Sequence, residues 1–319
     1  MKKILSIDGG GIKGIFAASF LAELEEICGV QICDYFDMIA GTSTGGIIAA
    51  ALSVGIPAKE ILKLYLDKAE LIFPKRTRFK VFSSKYSRES LKRAVSEVLQ
   101  DKKIRDCKTR LLIPAYNLEE RSARVFKTPH SEDLYVDKDI LLADIIMATT
   151  AAPLYFQPYK MDGGVYIDGG VIANNPSFMA VLEGVTRCQW EKEEIALLSI
   201  GGVEDAPATT GKEQMGMIDA LKILKCFMGA GIQNADNMCK IFLEKENYCR
   251  VNYAPLKNQV SLDKVNPGAK RVLKTWGFNA AQNKMHDIKE KFFHEKKGDF
   301  SLLKRNTGAQ SAPTVSFGR

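Results

Sequence analysis

Through the first half of the chain, short apolar runs alternate with longer stretches whose apolar side chains return every three or four positions. The runs at 3–8, 36–41, 110–117, 124–128, 165–168 and 195–200 have the length of strands. Several are apolar on consecutive positions, as strands covered on both faces are. Helical patterns lie between them, at 13–28, 45–54, 57–69, 87–100 and 141–149. In the first, Ile15, Ala18, Leu21, Ala22 and Leu24 gather on one side. In the fourth, Leu91, Ala94, Val95, Val98 and Leu99 do so, behind capping residues at Ser87 to Ser90. Strand and helix in alternation predict an α/β fold, three layers α/β/α around a mostly parallel central sheet.

Beyond Gly202 the pattern changes. Residues 204–213 are polar, and then Met217, Leu221, Leu224, Met228, Ile232, Ala235, Met238 and Phe242 recur at steps of three and four. That helix either packs on the sheet or offers a dimer or regulatory surface. A second, charged helical region spans 267–294, with an interruption expected at Gly277. Residues 306–319 are small and polar without periodicity, the signature of a disordered tail. The expected organisation is one domain, 1–305, with a catalytic core at about 2–202 and a helical C-terminal extension at about 204–305. There is no internal repeat.

Composition narrows the class. The 319 residues are 46% hydrophobic and 26% charged, which suits a soluble globular protein and excludes disorder, collagen-like repeats and a polytopic membrane protein. The charge is 45 − 38 = +7, spread over a long chain. It favours anionic surfaces such as phospholipid headgroups without arguing for a nucleic acid polymer. Seven cysteines without a CxxC pair read as reduced, buried thiols in a cytoplasmic protein. After Met1-Lys2-Lys3, Asp8 cuts the apolar run at once, so no secretory leader is expected. The uncharged stretch 38–58 carries four glycines and a proline and reads as core, not as a membrane span.

Three motifs carry candidate chemistry. Asp8-Gly9-Gly10-Gly11-Ile12-Lys13-Gly14 lies between a strand and a helix. It matches the dinucleotide pattern GxGxxG, with Asp34 and Asp37 at roughly the spacing of a ribose-binding acid. Its free amides would suit a phosphate or the oxyanion of an acyl-transfer intermediate equally. Gly41-Thr42-Ser43-Thr44-Gly45 follows a buried strand and opens an apolar helix, the context of a GxSxG nucleophile elbow. Asp168-Gly169-Gly170 stands at a strand end before Asn174-Asn175-Pro176 and a helix. A carboxylate there, shielded from water, can serve as general base. Asp162-Gly163-Gly164 is a near copy that reads as a turn between two strands. A histidine base is poorly supplied: His130 sits in a polar loop and reads as exposed, while His286 and His294 lie on a charged helix. No ligand cluster has metal-like spacing, so neither metal nor cofactor is expected.

Jointly, from residue 2 to about Gly202, these motifs resemble the patatin-like phospholipase family. The segment Ala148-Thr149-Thr150-Ala151-Ala152-Pro153-Leu154-Tyr155-Phe156 resembles it too, and Tyr248-Cys249-Arg250-Val251-Asn252 is a weaker echo. The resemblance implies a Ser43–Asp168 dyad without histidine and an oxyanion hole from Gly9, Gly10 and Gly11. Asp8, Lys13, Gly14, Gly41, Gly45, Gly169 and Gly170 support the motifs, Lys13 standing where many members carry arginine. The implied reaction is hydrolysis of acyl esters in membrane phospholipids, by a cytoplasmic protein associated peripherally with the inner face of the membrane. Compact bacterial members with a helical extension are similar to antiphage phospholipase effectors, which implies a cyclic-oligonucleotide activator and admits a homo-oligomer. Phe73, Arg76, Phe79 and Phe82 lie in an aromatic and basic stretch at 71–86 without acids. That stretch could meet a membrane or act as a lid, contact a nucleotide, or be a solvated loop. Two other classes remain open, a Rossmann-type oxidoreductase using Gly9–Gly14 and a catalytically silent membrane- or nucleotide-binding module.

Overall fold

The computed structural model describes residues 1–72, 88–153, 155–203, 220–253 and 265–302. The aromatic and basic stretch with Phe73, Arg76, Phe79 and Phe82 and the expected tail at 306–319 therefore lie outside the described residues.

A mixed sheet organises the chain. Five strands run parallel: β8 (Tyr248–Tyr253), β7 (Ile195–Val203), β1 (Lys2–Ile7), β2 (Met38–Gly41) and β3 (Arg110–Asn117), side by side in that order. Three more join in antiparallel pairs: β4 (Ser122–Lys127) and β6 (Gly164–Asp168) each on β3, and β5 (Tyr159–Met161) on β6. The predicted 110–117 coincides with β3, and β5 is a strand that the sequence pattern passed over. Asp162 and Gly163, both at positive φ (45° and 75°), form the two-residue turn joining β5 to β6, so the near copy is a hairpin turn.

The register of β3 places the site. Leu112 pairs with both Ala40 of β2 and Lys127 of β4, and Ala115 with both Arg124 of β4 and Asp168 of β6. A strand has two edges, so β4 fills one, and β2 and β6 share the other, end to end. Because β2 is parallel and β6 antiparallel to β3, their C-terminal ends meet. Ser43 follows one of those ends, and Asp168 closes the other.

Side chains alternate between the faces of the sheet. Leu5, Ile7, Ile39, Ile113 and Leu198 join one core with α1 (Gly14–Cys28), α2 (Thr44–Ser53), α3 (Ala58–Ile72), α4 (Arg88–Leu99), α5 (Leu142–Thr149) and α9 (Pro267–Phe292). Ile4, Met38, Ala40, Leu112 and Leu197 join the other, with α7 (Ser177–Thr186) and α8 (Ala220–Phe242). Short α6 (Gly170–Ala173) leaves Asp168 directly. The segment beyond 202 supplies β8 to the sheet as well as its helices.

Gly277 corrects an expectation. It does not interrupt α9, which is continuous from Pro267 to Phe292 behind an Asn266 cap that accepts the Ala269 amide at 2.8 Å. A Cβ on Gly277 would meet the Phe16 carbonyl and lie 2.8 Å from Ser19 Cβ, so the glycine lets α9 press against the backbone of α1. The thiols are free, as expected, but Cys226 is exposed, not buried. No described helix is long and apolar enough to cross a membrane.

Candidate active site

The elbow at residues 41–45 is held in a conformation that few sequences tolerate. Ser43 has φ 53° and ψ −121°, a positive-φ geometry costly for a residue with a side chain. The turn is tight enough that a Cβ on Gly41 would collide with the Gly45 carbonyl and one on Gly45 with the Ile7 carbonyl. Hydrogen bonds over-determine the strained residue. Its amide donates to Thr149 Oγ1 (3.0 Å), whose hydroxyl donates to the Pro114 carbonyl (2.6 Å). On one side Thr42 Oγ1 donates to Ala173 O (2.6 Å), and on the other the Tyr65 hydroxyl donates to Thr44 O (2.8 Å).

The structure brings Ser43 and Asp168 together. Ser43 Oγ donates to Asp168 Oδ2 at 2.6 Å, and Gly170 N donates to Asp168 Oδ1 at 2.7 Å. Asp168 is 3% exposed. Burial, opposed only by those two hydrogen bonds, raises its carboxyl from the ordinary 3.8 to about 6. Gly169 leaves no space for a side chain, since a Cβ there would strike the Pro114 carbonyl. Met228 of α8 reaches this motif, lying 2.7 Å from where a Gly170 Cβ would be.

The glycine loop lies alongside. A Cβ on Gly9 would be 3.3 Å from Ser43 Cβ, and Gly10 N donates to Thr44 Oγ1 at 3.2 Å. A Cβ on Gly14 would be 3.4 Å from Thr44 Cβ, so α1 starts pressed against the elbow. Buried Lys13 packs its stem near Gly10 and Gly202. Two members of the expected oxyanion set have their amides taken up in holding the loop: Gly9 N donates to the Asn174 carbonyl at 2.9 Å and Gly10 N to Thr44 Oγ1 at 3.2 Å. Among the described residues, the amides of Gly11 and Thr44 have no acceptor in the protein. Thr44 N, at the start of α2, was missed in the sequence, as were Thr149 and Asn174 as supports. GxSxG itself carries the signal for the first, because an elbow's next amide faces the same anion.

The histidines stay apart from the serine. His130 is buried, against the expectation of exposure. Its Nε2 lies 3.0 Å from Glu183 Oε1 and its Nδ1 2.9 Å from Thr128 Oγ1. Thr128 Oγ1 accepts the Leu111 amide, so His130 sits at the N-terminal end of β3, away from Ser43. His286 is 83% exposed and His294 51%. Asp37 accepts the Lys3 amide at 2.9 Å at the start of β2, the opposite end of the sheet from the glycine loop. A ribose-binding acid belongs at the C-terminal end, so the dinucleotide reading loses its acid. Among the described residues no group of three or more potential ligands could hold a metal ion.

A family model described as patatin-like phospholipase matches residues 5–181. A "cGAMP-activated phospholipase" of Pseudomonas aeruginosa is 32% identical over 303 residues, 89% of each chain. One of the same name from Vibrio cholerae is 40% identical over 202 residues, and the match spans only 57% of either chain. The crystal structure of VipD from Legionella pneumophila aligns with a TM-score of 0.46 at 14% identity, covering 89% of this chain and 66% of that one.

Proposed function

Because the chain belongs to the patatin-like phospholipase family, we propose that it hydrolyses acyl esters of membrane phospholipids with Ser43 as nucleophile and Asp168 as general base. The observation that carries this reading is the 2.6 Å hydrogen bond between a serine at φ 53° and a buried carboxylate. Asp168 Oδ2 takes the hydroxyl proton as Ser43 Oγ attacks the ester carbonyl. The oxyanion is held by the amides of Gly11 and Thr44, the latter at the positive end of α2. Collapse of the intermediate expels the lysolipid oxygen, which takes the proton back from Asp168. Water then attacks the acyl-enzyme and gives a proton to Asp168, and collapse of the second intermediate returns that proton to Ser43 Oγ and frees the fatty acid. Each such donor is worth about 3 kcal/mol in the transition state.

Regulation follows from the relatives. Two of them carry cGAMP activation in their names, and one matches this chain over 89% of its length, extension included. A cyclic oligonucleotide is therefore the proposed activator. The aromatic and basic stretch with Phe73, Arg76, Phe79 and Phe82 is the proposed contact with anionic lipid at the inner face of the membrane. A homo-oligomer remains part of this proposal.

The test is fatty-acid release from phosphatidylethanolamine–phosphatidylglycerol vesicles with and without cGAMP. Release that cGAMP stimulates and that Ser43→Ala and Asp168→Asn abolish is the expected result. Neither release nor a fluorophosphonate adduct on Ser43 under any condition would leave a silent binding module. Ser43-dependent release indifferent to a cyclic-oligonucleotide panel would remove the activator and keep the hydrolase.

A further inference from the structure

Asp8 roots the glycine loop, directly after β1. Its amide donates to Ile200 O of β7 at 2.9 Å. Its carboxylate takes both ends of one guanidinium: Arg250 Nη1 donates to Oδ1 at 2.9 Å and Nη2 to Oδ2 at 2.6 Å. The two side chains are 2% and 10% exposed. Burial alone would loosen the arginine's proton, but the facing carboxylate raises its affinity, so the guanidinium stays charged.

Arg250 comes from β8, far outside the family-matched residues 5–181, and pairs there with Ser199. Its Nη1 also donates to Ser199 Oγ at 2.6 Å. That hydroxyl is 2.7 Å from Ser177 Oγ, at the start of α7, and the Ser177 amide donates to Asn175 Oδ1 at 3.0 Å. One guanidinium thus touches the root of the glycine loop and reaches, through a hydroxyl pair, the segment that follows Asp168. Room for it depends on Gly201, where a Cβ would lie 2.7 Å from Nη2. Tyr248, two residues earlier on β8, donates to Asp236 Oδ1 of α8 at 2.6 Å, tying the same strand to the helix that leans on Gly170.

A buried ion pair is a poor way to gain stability, since an apolar pair of similar volume often does as well or better. What a bidentate pair supplies is direction: two parallel hydrogen bonds fix the plane of the carboxylate, and a lysine cannot reproduce them. We propose that Arg250 is a positioning residue, whose two-point grip on Asp8 orients the backbone entering Gly9, Gly10 and Gly11 so that the free amide of Gly11 faces the oxyanion formed at Ser43. This rests on the reading of Ser43 as an acyl-transfer nucleophile. The segment beyond the family-matched core is then required for the chemistry itself.

The test compares wild type, Arg250→Lys, Arg250→Met and the double variant Asp8→Leu/Arg250→Met. The measurements are kcat and KM on p-nitrophenyl butyrate with cGAMP present, thermal unfolding, and hydrogen exchange of the Gly9–Gly11 amides. Misplacement of the donors predicts that Arg250→Lys loses roughly tenfold to a hundredfold in kcat, with KM changed less than about threefold and loop exchange quickened. The double variant should recover the thermal stability lost in Arg250→Met while kcat stays low. A double variant that regains kcat along with stability, or a folded Arg250→Lys with wild-type kcat and exchange, overturns the proposal. Should Arg250→Met not fold, the lysine and double variants still decide. A wild type that gives neither fatty-acid release nor a fluorophosphonate adduct, while loop exchange still quickens in Arg250→Lys, would sink the hydrolase reading and leave the clamp standing.

Discussion

Replacing Asp168 by asparagine should stabilise the protein at neutral pH while destroying its activity. Burial raises the carboxyl from 3.8 to about 6, so the folded chain holds this proton more tightly than the unfolded chain does. Between those values the folded state binds more protons, and stability falls as pH rises. The group's contribution is fully present below about pH 4 and is lost as pH climbs through about 6. The proton affinities differ by a factor of ~100, which makes the total loss about 3 kcal/mol, of which about half has gone by pH 5. The asparagine side chain carries no such linkage. It can keep the bond from Gly170 through its carbonyl and turn its amide toward Ser43 Oγ.

The difference between wild type and Asp168→Asn therefore isolates this one group from the other acids whose carboxyls burial raises, Asp8, Glu25 and Asp137. At ~2.1 cal/mol/K of unfolding entropy per residue, 3 kcal/mol corresponds to about 4 °C in Tm for a chain of this size. Thermal unfolding of both proteins from pH 5 to pH 8 is the assay. The gap should widen with pH in favour of the variant and level off above pH 7. Over the same range wild-type kcat/KM should climb to a plateau with a midpoint near about 6, because only the ionised carboxylate can take the serine proton. A gap that stays constant or narrows with pH would refute the claim that burial has strengthened this base.

Ser43→Gly should stabilise by about 1 kcal/mol, since glycine accepts φ 53° without strain, and should abolish ester hydrolysis; denaturant unfolding and a fatty-acid assay read the two effects. Thr149→Val removes the acceptor for Ser43 N and the donor to Pro114 O. It should cost about 1–3 kcal/mol in stability and lower kcat more than it raises KM. His130→Ala should destabilise by about 2–4 kcal/mol by leaving Glu183 and Thr128 short of a buried partner, yet leave the rate of fluorophosphonate labelling at Ser43 unchanged in the folded fraction. Equal damage to labelling and to stability would mean that histidine contributes to the reaction after all.

The legible parts of this site were those whose cause is local. The elbow could be read because strand, small residues and apolar helix are contiguous in sequence, and Asp168 because a strand end, two glycines and a helix surround it. Two misreadings share the opposite cause. His130 sits among polar neighbours in sequence, and its burial comes from Glu183, 53 residues away. Gly277 looks like a helix breaker, and the reason for a glycine there is the backbone of α1. Arg250 is the extreme case, its partner Asp8 standing 242 residues away. A bidentate grip between distant strands leaves no periodicity in either segment, so only the sheet order β8–β7–β1 reveals it.

The proposed Ser43–Asp168 pair, working without histidine, also explains where the fold concentrates its strain. A conventional triad places an imidazole between serine and carboxylate, so the carboxylate can keep its ordinary affinity. Here the carboxylate meets the hydroxyl directly, and one ordinary in strength would be a weak base for it. Burial supplies the missing strength and costs stability in the same act. The serine must also stand clear of the sheet at a positive φ to reach that carboxylate across the gap where β2 and β6 meet. Both costs fall within one hydrogen bond of each other, and the contacts that sustain them arrive from four directions: Ile7 at the end of β1, Pro114 in β3, Thr149 at the end of α5, and Ala173 after Asp168. A strained serine and a strengthened aspartate are thus one feature of the fold, because the end-to-end meeting of β2 and β6 juxtaposes them.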